Sequence, residues 1–421
     1  MNPRLRKLSH EEGTVLLITI MVATLLGITV GSYLLMVSAQ NRSVARSQSW
    51  NAALAVSEAG VEEALAQLNL GAMASKIDRT ANGWGAPSGG IYGPRSSSLS
   101  SGSYSVVYTD DKYPVIYSTG YVAVPSIPIT LSRVVRVDTT NVALFTFAMA
   151  AKNGIDLKGN GVGTDSFNSA DPNFSQNGQY LASKASTNGT IASFMGAVNV
   201  GAADVHGDVL LGPAATDTIS KSGTVTGSVV NDFNFSFEDV RLPTASWIYP
   251  SPNPQTIGAV NYQYVFTNNG DYQLSGLSGS VYVGTNANVR LYITGNASPA
   301  IIRVANSGTN SGNLALYMAG SSFTLSGSAM VDGGNAANLS YYGLPSNTTI
   351  SFSGNASFIG TIYAPEADLK MGGGGSSVYD FVGACVVNTI TMNGHFNFHY
   401  DENLAKSGPA RGYVPRAWQE I

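Results

Sequence analysis

Charged side chains are scarce in this chain: 22 Lys and Arg and 26 Asp and Glu among 421 residues, 11% where globular proteins average about 25%. That scarcity excludes highly charged disorder. It also excludes a nucleic-acid binder, because residues 151–421 hold 11 basic against 17 acidic groups and no basic patch can be assembled there. Cysteine occurs once, as Cys385, so there is no intrachain disulfide and no cysteine-based zinc site. Its apolar surroundings, Val382-Gly383-Ala384-Cys385-Val386-Val387, mark it as a buried small hydrophobe. The 17 prolines are too few for a collagen, and the 47 glycines follow no Gly-X-Y period. What remains is a glycine- and tyrosine-rich β protein, long enough for more than one domain.

The strongest signal is at the start. Residues 14–37 carry no charge, a run of 24 residues that as a helix measures about 36 Å and crosses a bilayer core of about 30 Å. Arg4, Arg6 and Lys7 precede it, so the positive-inside rule places the N-terminus in the cytoplasm, with Arg42 and Arg46 competing on the far side. A secretory signal peptide is disfavoured because the run exceeds a typical signal core of 7–15 residues. Beyond the run, between Gln40 and Leu70, Leu54, Val61, Leu65 and Leu68 recur on one face, with Glu58 falling on the same face as an exception. The reading is an amphipathic helix over 38–70 that continues the membrane helix and breaks near Gly71.

A short basic leader ending in Gly13, an apolar helix starting at Thr14 and a helix that extends past the membrane resemble a type IV prepilin. Ala53-Leu54-Ala55-Val56-Ser57-Glu58-Ala59-Gly60-Val61-Glu62-Glu63-Ala64-Leu65 is similar to the helix of PilX-type minor pilins. The resemblance covers about residues 1–140. It implies cleavage between Gly13 and Thr14 by a prepilin peptidase, and a filament-type packing helix carrying Ile18, Leu54, Glu58, Val61 and Leu65. Major pilins carry a glutamate at the fifth mature position, which here is Ile18. The departure points to a minor pilin or pseudopilin that primes, caps or decorates a filament, because an unpaired charge in apolar surroundings is costly and is absent here.

Residues 83–102 are polar and turn-rich, and three strand patterns follow at 104–109, 115–124 and 129–139. Helix plus small antiparallel sheet is the expected stem. Beyond residue 142 short alternating strands recur with no long helix, many closed by glycine, as at Ser326-Gly327-Ser328, Ser353-Gly354-Asn355 and Asn393-Gly394-His395. Starts near Val289, Leu314, Ile350, Leu369 and Ile390 are spaced by 25, 36, 19 and 21 residues, close to one coil of a parallel β-helix. A β-sandwich is the rival, since a hairpin pattern spans Tyr264 to Gln273 around Asn268-Asn269-Gly270. Residues from Gly360 to Gly394 resemble the C-terminal β-helix modules of some PilX-like proteins.

Several β-helices are polysaccharide lyases or hydrolases, which need clustered carboxylates. Asp204, His206 and Asp208 read as one face of a strand, and Glu366 and Asp368 as two carboxylates about 7 Å apart if extended. Solvated polar alternation accounts for both. His395, Asn397 and His399 alternate with Phe396 and Phe398, and the aromatic side is expected to seal the last coil. Residues 159–165 make a glycine-rich turn, and Gly372 to Gly375 lack the lysine and helix of a phosphate loop.

The expected fold is mainly β with one long N-terminal helix: a cytoplasmic leader at 1–13, membrane helix 14–37, amphipathic helix 38–70, small antiparallel region 71–141, parallel β-helix 142–404 and tail 405–421. The expected function is a non-enzymatic, single-pass component of a type IV pilus or type II secretion apparatus, with its C-terminal domain periplasmic or extracellular. No cofactor or metal is expected. Expected partners are the cytoplasmic membrane, a prepilin peptidase and other pilins or pseudopilins, with a surface ligand or glycan left open. The alternatives are a tethered carbohydrate-active enzyme and an adhesin or scaffold outside any filament.

Overall fold

The computed structural model describes residues 11–69, 80, 82–307, 310–373 and 379–421. The basic leader residues Arg4, Arg6 and Lys7, the break near Gly71, and Gly374 and Gly375 lie outside them. Two compact units are present: Met1–Ala66 with Asn82–Thr139 and Pro415–Ile421, and Gln67–Ala81 with Thr140–Val414.

The first unit is built on helix α1, Glu11–Leu68, 58 residues and about 87 Å long. Its two halves differ. Along the first, apolar side chains stand bare: Leu17 is 68% exposed, Ile18 59% and Leu35 74%. The hydroxyls of Thr19, Thr24 and Thr29 donate back to carbonyls one turn earlier, at 2.8–3.1 Å, which satisfies those three donors within the helix. This helix is long and apolar enough to cross a membrane.

The second half packs. Ala53, Val56, Ser57, Gly60, Val61 and Ala64 are buried, the 3–4 spacing of one helical face. They lie on an antiparallel sheet of β1 (Ile91–Leu99), β2 (Gly102–Thr109), β3 (Val115–Ala123), β4 (Thr130–Ala143) and the C-terminal strand Ala410–Glu420, in that order. Tyr104, Val106 and Tyr108 of β2, Ile116 and Ser118 of β3, and Val135 and Val137 of β4 alternate inward. Two of the strands depart from the sequence reading. β1 lies inside the stretch read as turns, because its serines alternate outward on an edge and Pro94 sits where the register slips between Tyr92 and Arg95. The expected tail 405–421 supplies the fifth strand: Ile421 N–H donates to the Val134 carbonyl at 3.0 Å, and Arg133 pairs with Glu420.

The second unit is a parallel β-helix of three faces. One interior column runs Tyr272, Leu291, Leu316, Tyr341, Ile362, Cys385, at sequence intervals of 19, 25, 25, 21 and 23. A second runs Val281, Ile302, Val331, Phe358, Phe381, Phe398, with ring centroids 4.9 Å apart between Phe358 and Phe381 and 4.3 Å between Phe381 and Phe398. A third holds Phe323, Ile350, Leu369 and Ile390. Each coil buries its inward side chains only against its neighbours, so the stack is the unit of stability.

The coils do not stack in chain order. Cys385 and Ile390 continue into Met149 and Ile155, and Phe398 into Thr164. One coil is therefore composite, taking Phe396–Asp401 from the C-terminal stretch and Met149–Ala151 with Ile155–Leu157 from the N-terminal one. Beyond it the stack proceeds through Ile191, Val209 and Val229. After residue 230 the chain crosses back as an irregular strap, residues 231–254, and begins the other end at Tyr264. Phe233, Phe235 and Val240 of the strap are buried. Tyr363 donates its hydroxyl to the Glu238 carbonyl at 2.7 Å, and Trp247 lies 5.4 Å from Tyr292 and 6.4 Å from Tyr317 between ring centroids. The strap thus covers an outer tyrosine column, Tyr292, Tyr317, Tyr342 and Tyr363, stacked in register.

Three local expectations are corrected. Tyr264–Phe266 and Gly270–Leu274 do not form a hairpin; they flank a corner, and each pairs in parallel with the next coil. Phe396 and Phe398 do not seal the last coil, because Thr164 and then Val205 stack beyond Phe398. Asp204 and Asp208 are not on one strand. A corner at Gly207 separates Asp204–Val205 from Val209–Leu211, and a Cβ there would meet the Thr190 nitrogen at 2.6 Å.

Candidate functional site

The residues singled out on α1 separate along its length. Gly13 lies within the helix, Thr14 and Ile18 are exposed, Val61 is fully buried, and Leu54 and Leu65 are half-buried. Glu58 is exposed and not on the packed face. The sheet-facing stripe consists of small residues, so its centre lies away from the Leu54–Leu65 line that the leucines alone suggest. Gly60 and Gly120 make this approach possible. A Cβ on Gly60 would meet the Ser118 hydroxyl at 2.3 Å, and one on Gly120 the Ala53 carbonyl at 2.2 Å and the Ser57 nitrogen at 2.6 Å. Glu63, on the flank, accepts from the Tyr104 hydroxyl at 2.6 Å and pairs with Arg95 at 3.0 Å. Burial first, then the hydrogen bond to Glu63, holds the Tyr104 phenol above its usual range.

On the β-helix, chemistry-bearing side chains gather at the junction of the composite coil with the next. His399 Nδ1 stands 2.5 Å from Asp165 Oδ1, and the Tyr180 hydroxyl donates to Asp165 Oδ2 at 2.7 Å. The Tyr180 ring stacks on His399 with centroids 3.6 Å apart. With Asp204, His206 and Asn397 these line a cavity of about 230 Å³. Sequence reading placed His399 and Asp165 in separate motifs; only the splice of the two stretches brings them together, 234 positions apart. His395 is exposed and lies outside this lining. Asp401 nearby accepts from the Ser169 and Asn403 N–H groups at 3.0 and 3.1 Å. Burial nonetheless raises its carboxyl above the usual range, those bonds opposing it.

The carboxylates proposed as catalytic pairs are occupied between coils. Asp204 accepts from the Thr224 hydroxyl at 2.5 Å and Asp208 from the Ser228 N–H at 2.7 Å. Glu366 pairs with Lys152, and Asp368 accepts from Asn388 and Thr389 at 2.9 and 2.6 Å. Both Glu366 and Asp368 fall at the corner where the register shifts after Ala364. Among the described residues no three His, Cys, Asp or Glu side chains are placed to share a metal ion. Cys385 is buried, and burial pushes its thiol well above the usual range.

A second recess of about 530 Å³ lies along the outer corner before the tyrosine face. Asn269, Asn288 and Asn313 form an amide ladder there: the Asn288 N–H donates to Asn269 Oδ1 at 2.8 Å, and Asn313 Nδ2 to Asn288 Oδ1 at 3.0 Å. Beside it Arg290 pairs bidentately with Asp271, both contacts 2.5 Å, and its guanidinium lies 5.8 Å from the Trp247 ring. The recess offers amide donors and acceptors and a neutralised charge pair, a surface that hydrogen-bonds hydroxyls. Periodic asparagines preceding apolar strand starts were the legible signal for it in the sequence.

Residues 263–407 match the model of a domain of unknown function, DUF7305. That stretch is the second run of coils, from the strap to just past the composite coil. No curated protein matches the chain. Among solved structures the competence-associated pilin ComZ from Thermus thermophilus is similar at 12% identity, covering 88% of this chain and 97% of that one, with a TM-score of 0.26. At that overlap the likeness carries no weight for this chain.

Proposed function

We propose that the chain is a membrane-anchored, pilin-like structural component that holds a β-helix outside the cytoplasmic membrane. The observation that carries the reading is the division of α1. Half of the rod is apolar and bare, with the hydroxyls of Thr19, Thr24 and Thr29 turned back onto the helix, and the other half is packed on an antiparallel sheet. A helix buried on no side in its apolar half needs another apolar medium: a bilayer, or the shaft of a filament. The leader ending at Gly13 and the glutamate-free Ile18 support the reading of a minor pilin or pseudopilin, cleaved between Gly13 and Thr14 by a prepilin peptidase and assembled with other pilins.

N-terminal sequencing of the protein from its native host tests this. A mature chain beginning at Thr14 supports it, and one beginning at Met1 reduces α1 to a plain anchor. Gly13→Leu blocks cleavage and leaves membrane insertion intact, since the apolar run is unchanged. The same reading gives the β-helix no catalytic role, because its paired carboxylates are spent on contacts between coils. Turnover of a polysaccharide, abolished by Asp204→Ala or Glu366→Ala in a folded protein, would overturn that part.

A further inference from the structure

The apolar run of α1 ends at Val37, and the first charge beyond it is Arg42, about 7.5 Å further along the axis. Bilayer headgroup regions extend roughly 5–7 Å beyond the hydrocarbon on each side, so Arg42 falls at headgroup depth. At that level the turn joining β3 to β4 comes back to the helix. A recess of about 500 Å³ opens between them, lined by Leu34, Val37, Ser38, Asn41 and Arg42 from α1 and by Pro125 and Ser126 from the turn. The turn is closed by its own backbone, Val124 N–H donating to the Ile129 carbonyl at 2.9 Å and Ile129 N–H to the Ile127 carbonyl at 2.8 Å. Its outward residues are Pro125, Ser126, Pro128 and Ile129, all exposed.

Charge in this region has one sign. From residue 14 to 57 and from 113 to 137 the chain contains no Asp or Glu, and Glu420 beside β4 is paired with Arg133. Among the described residues neither Arg42 nor Arg46 has an ion-pair partner. One wall of the recess is therefore hydrocarbon continuous with the membrane run, and the rim is an unpaired guanidinium with serine and asparagine donors. We infer that this recess is a headgroup site for an anionic phospholipid. The phosphate lies on Arg42, with Ser38, Asn41 and Ser126 around it, and an acyl chain follows Leu34 and Val37 down the helix. The β3–β4 turn rests on the bilayer surface as a second contact.

The inference stands on the membrane reading, and the experiment separates the two. The full chain is reconstituted into nanodiscs of equal phosphatidylcholine and phosphatidylglycerol, and co-isolated lipid is counted by native mass spectrometry. Retention of phosphatidylglycerol over phosphatidylcholine by roughly fivefold is expected, falling to the bulk ratio in Arg42→Gln and unaffected by added inorganic phosphate. A bimane label at Ser126→Cys should be quenched by shallow spin-labelled lipid. Equal lipid ratios in wild type and Arg42→Gln, or an unquenched label, overturn the site while insertion stands. Displacement of the lipid by inorganic phosphate also overturns it, in favour of a plain anion site. A chain that does not float with vesicles sinks the membrane reading itself.

Discussion

At Gly60 and Gly120 the helix and sheet of the first unit meet with no room for a Cβ, and at Gly120 the obstacles are backbone atoms that cannot swing aside. Overpacking costs about 1–3 kcal/mol where neighbours yield, so Gly120→Val should destabilise this unit by roughly 3 kcal/mol or more. Gly372→Ala, with nothing within 4 Å of the added carbon, serves as the neutral comparison in thermal melts. Asp401 makes a different case. Its folded-state pKa lies above the unfolded value because burial penalises the charge, so the ionised form weakens the fold at neutral pH, and stability is recovered as pH falls through the raised pKa. Asn keeps an oxygen to accept the Ser169 and Asn403 N–H bonds and carries no charge. Asp401→Asn should therefore match or exceed wild-type stability at pH 7, with the difference shrinking toward pH 4. Asp401→Ala, which strands two donors, should be less stable than both. Equal pH dependence in wild type and Asp401→Asn would contradict the argument.

The strap and the composite coil belong to the scale of elements, and there the sequence was least readable. Strand positions were legible because Val, Ile and Phe alternate with polar residues. At Val281–Val283, Phe323–Leu325 and Ile350–Phe352 the pattern alone marks the strands, observed as Val281–Val283, Ser322–Leu325 and Thr349–Phe352. Which strand stacks on which was not. A three-residue strand such as Met149–Ala151 fits against any coil by pattern, and nothing local says that its neighbour is Cys385, 236 positions away, instead of the next strand in line. The strap was missed for a related reason. Phe233, Phe235 and Phe237 alternate like a strand, yet they lie outside the named strands; the Phe233 N–H donates to the Leu211 carbonyl at 3.0 Å, and the Phe233 and Phe237 rings lie against Phe147 and Phe194, centroids 5.4 and 6.0 Å apart. The His399–Asp165 contact was illegible because it exists only where the two runs are spliced. Phe233→Ala should cost about 3–5 kcal/mol, read as a lowered denaturation midpoint. A sharper outcome concerns the 263–407 stretch. Expressed alone, it lacks Met149–Ala151 and Ile155–Leu157 against its Cys385 and Ile390 rows. It should then bind hydrophobic dyes and aggregate through the open strand edges, and co-expressed residues 142–262 should suppress both.

For the whole molecule, the division of labour between an apolar rod and a weakly charged β-helix sets what each part does in water. Residues 142–414 hold 10 basic and 16 acidic groups, net −6, and no run of membrane length. Most of their large apolar side chains are buried in the interior columns and under the strap, with Leu291, Ile302, Phe323, Phe358 and Phe381 at 0–1% exposure and scattered exceptions such as Met195 and Ile248. The bare hydrophobic surface, by contrast, is concentrated on α1 from Val15 to Met36. A net charge of this size on a fragment whose apolar rows are internal favours solubility. Residues 142–414 should thus be soluble without detergent and give a β-dominated circular dichroism spectrum with a single cooperative melt, because coils that bury their faces only against neighbours lose support together. The full chain should require detergent or lipid and show added helical signal from the 58 residues of α1. A fragment that is largely helical, or that stays soluble but melts in two well-separated steps at the splice, would contradict the continuous stack. In the second outcome the composite coil would be a seam between two independent bodies, and the His399–Asp165 contact would open before either half unfolds.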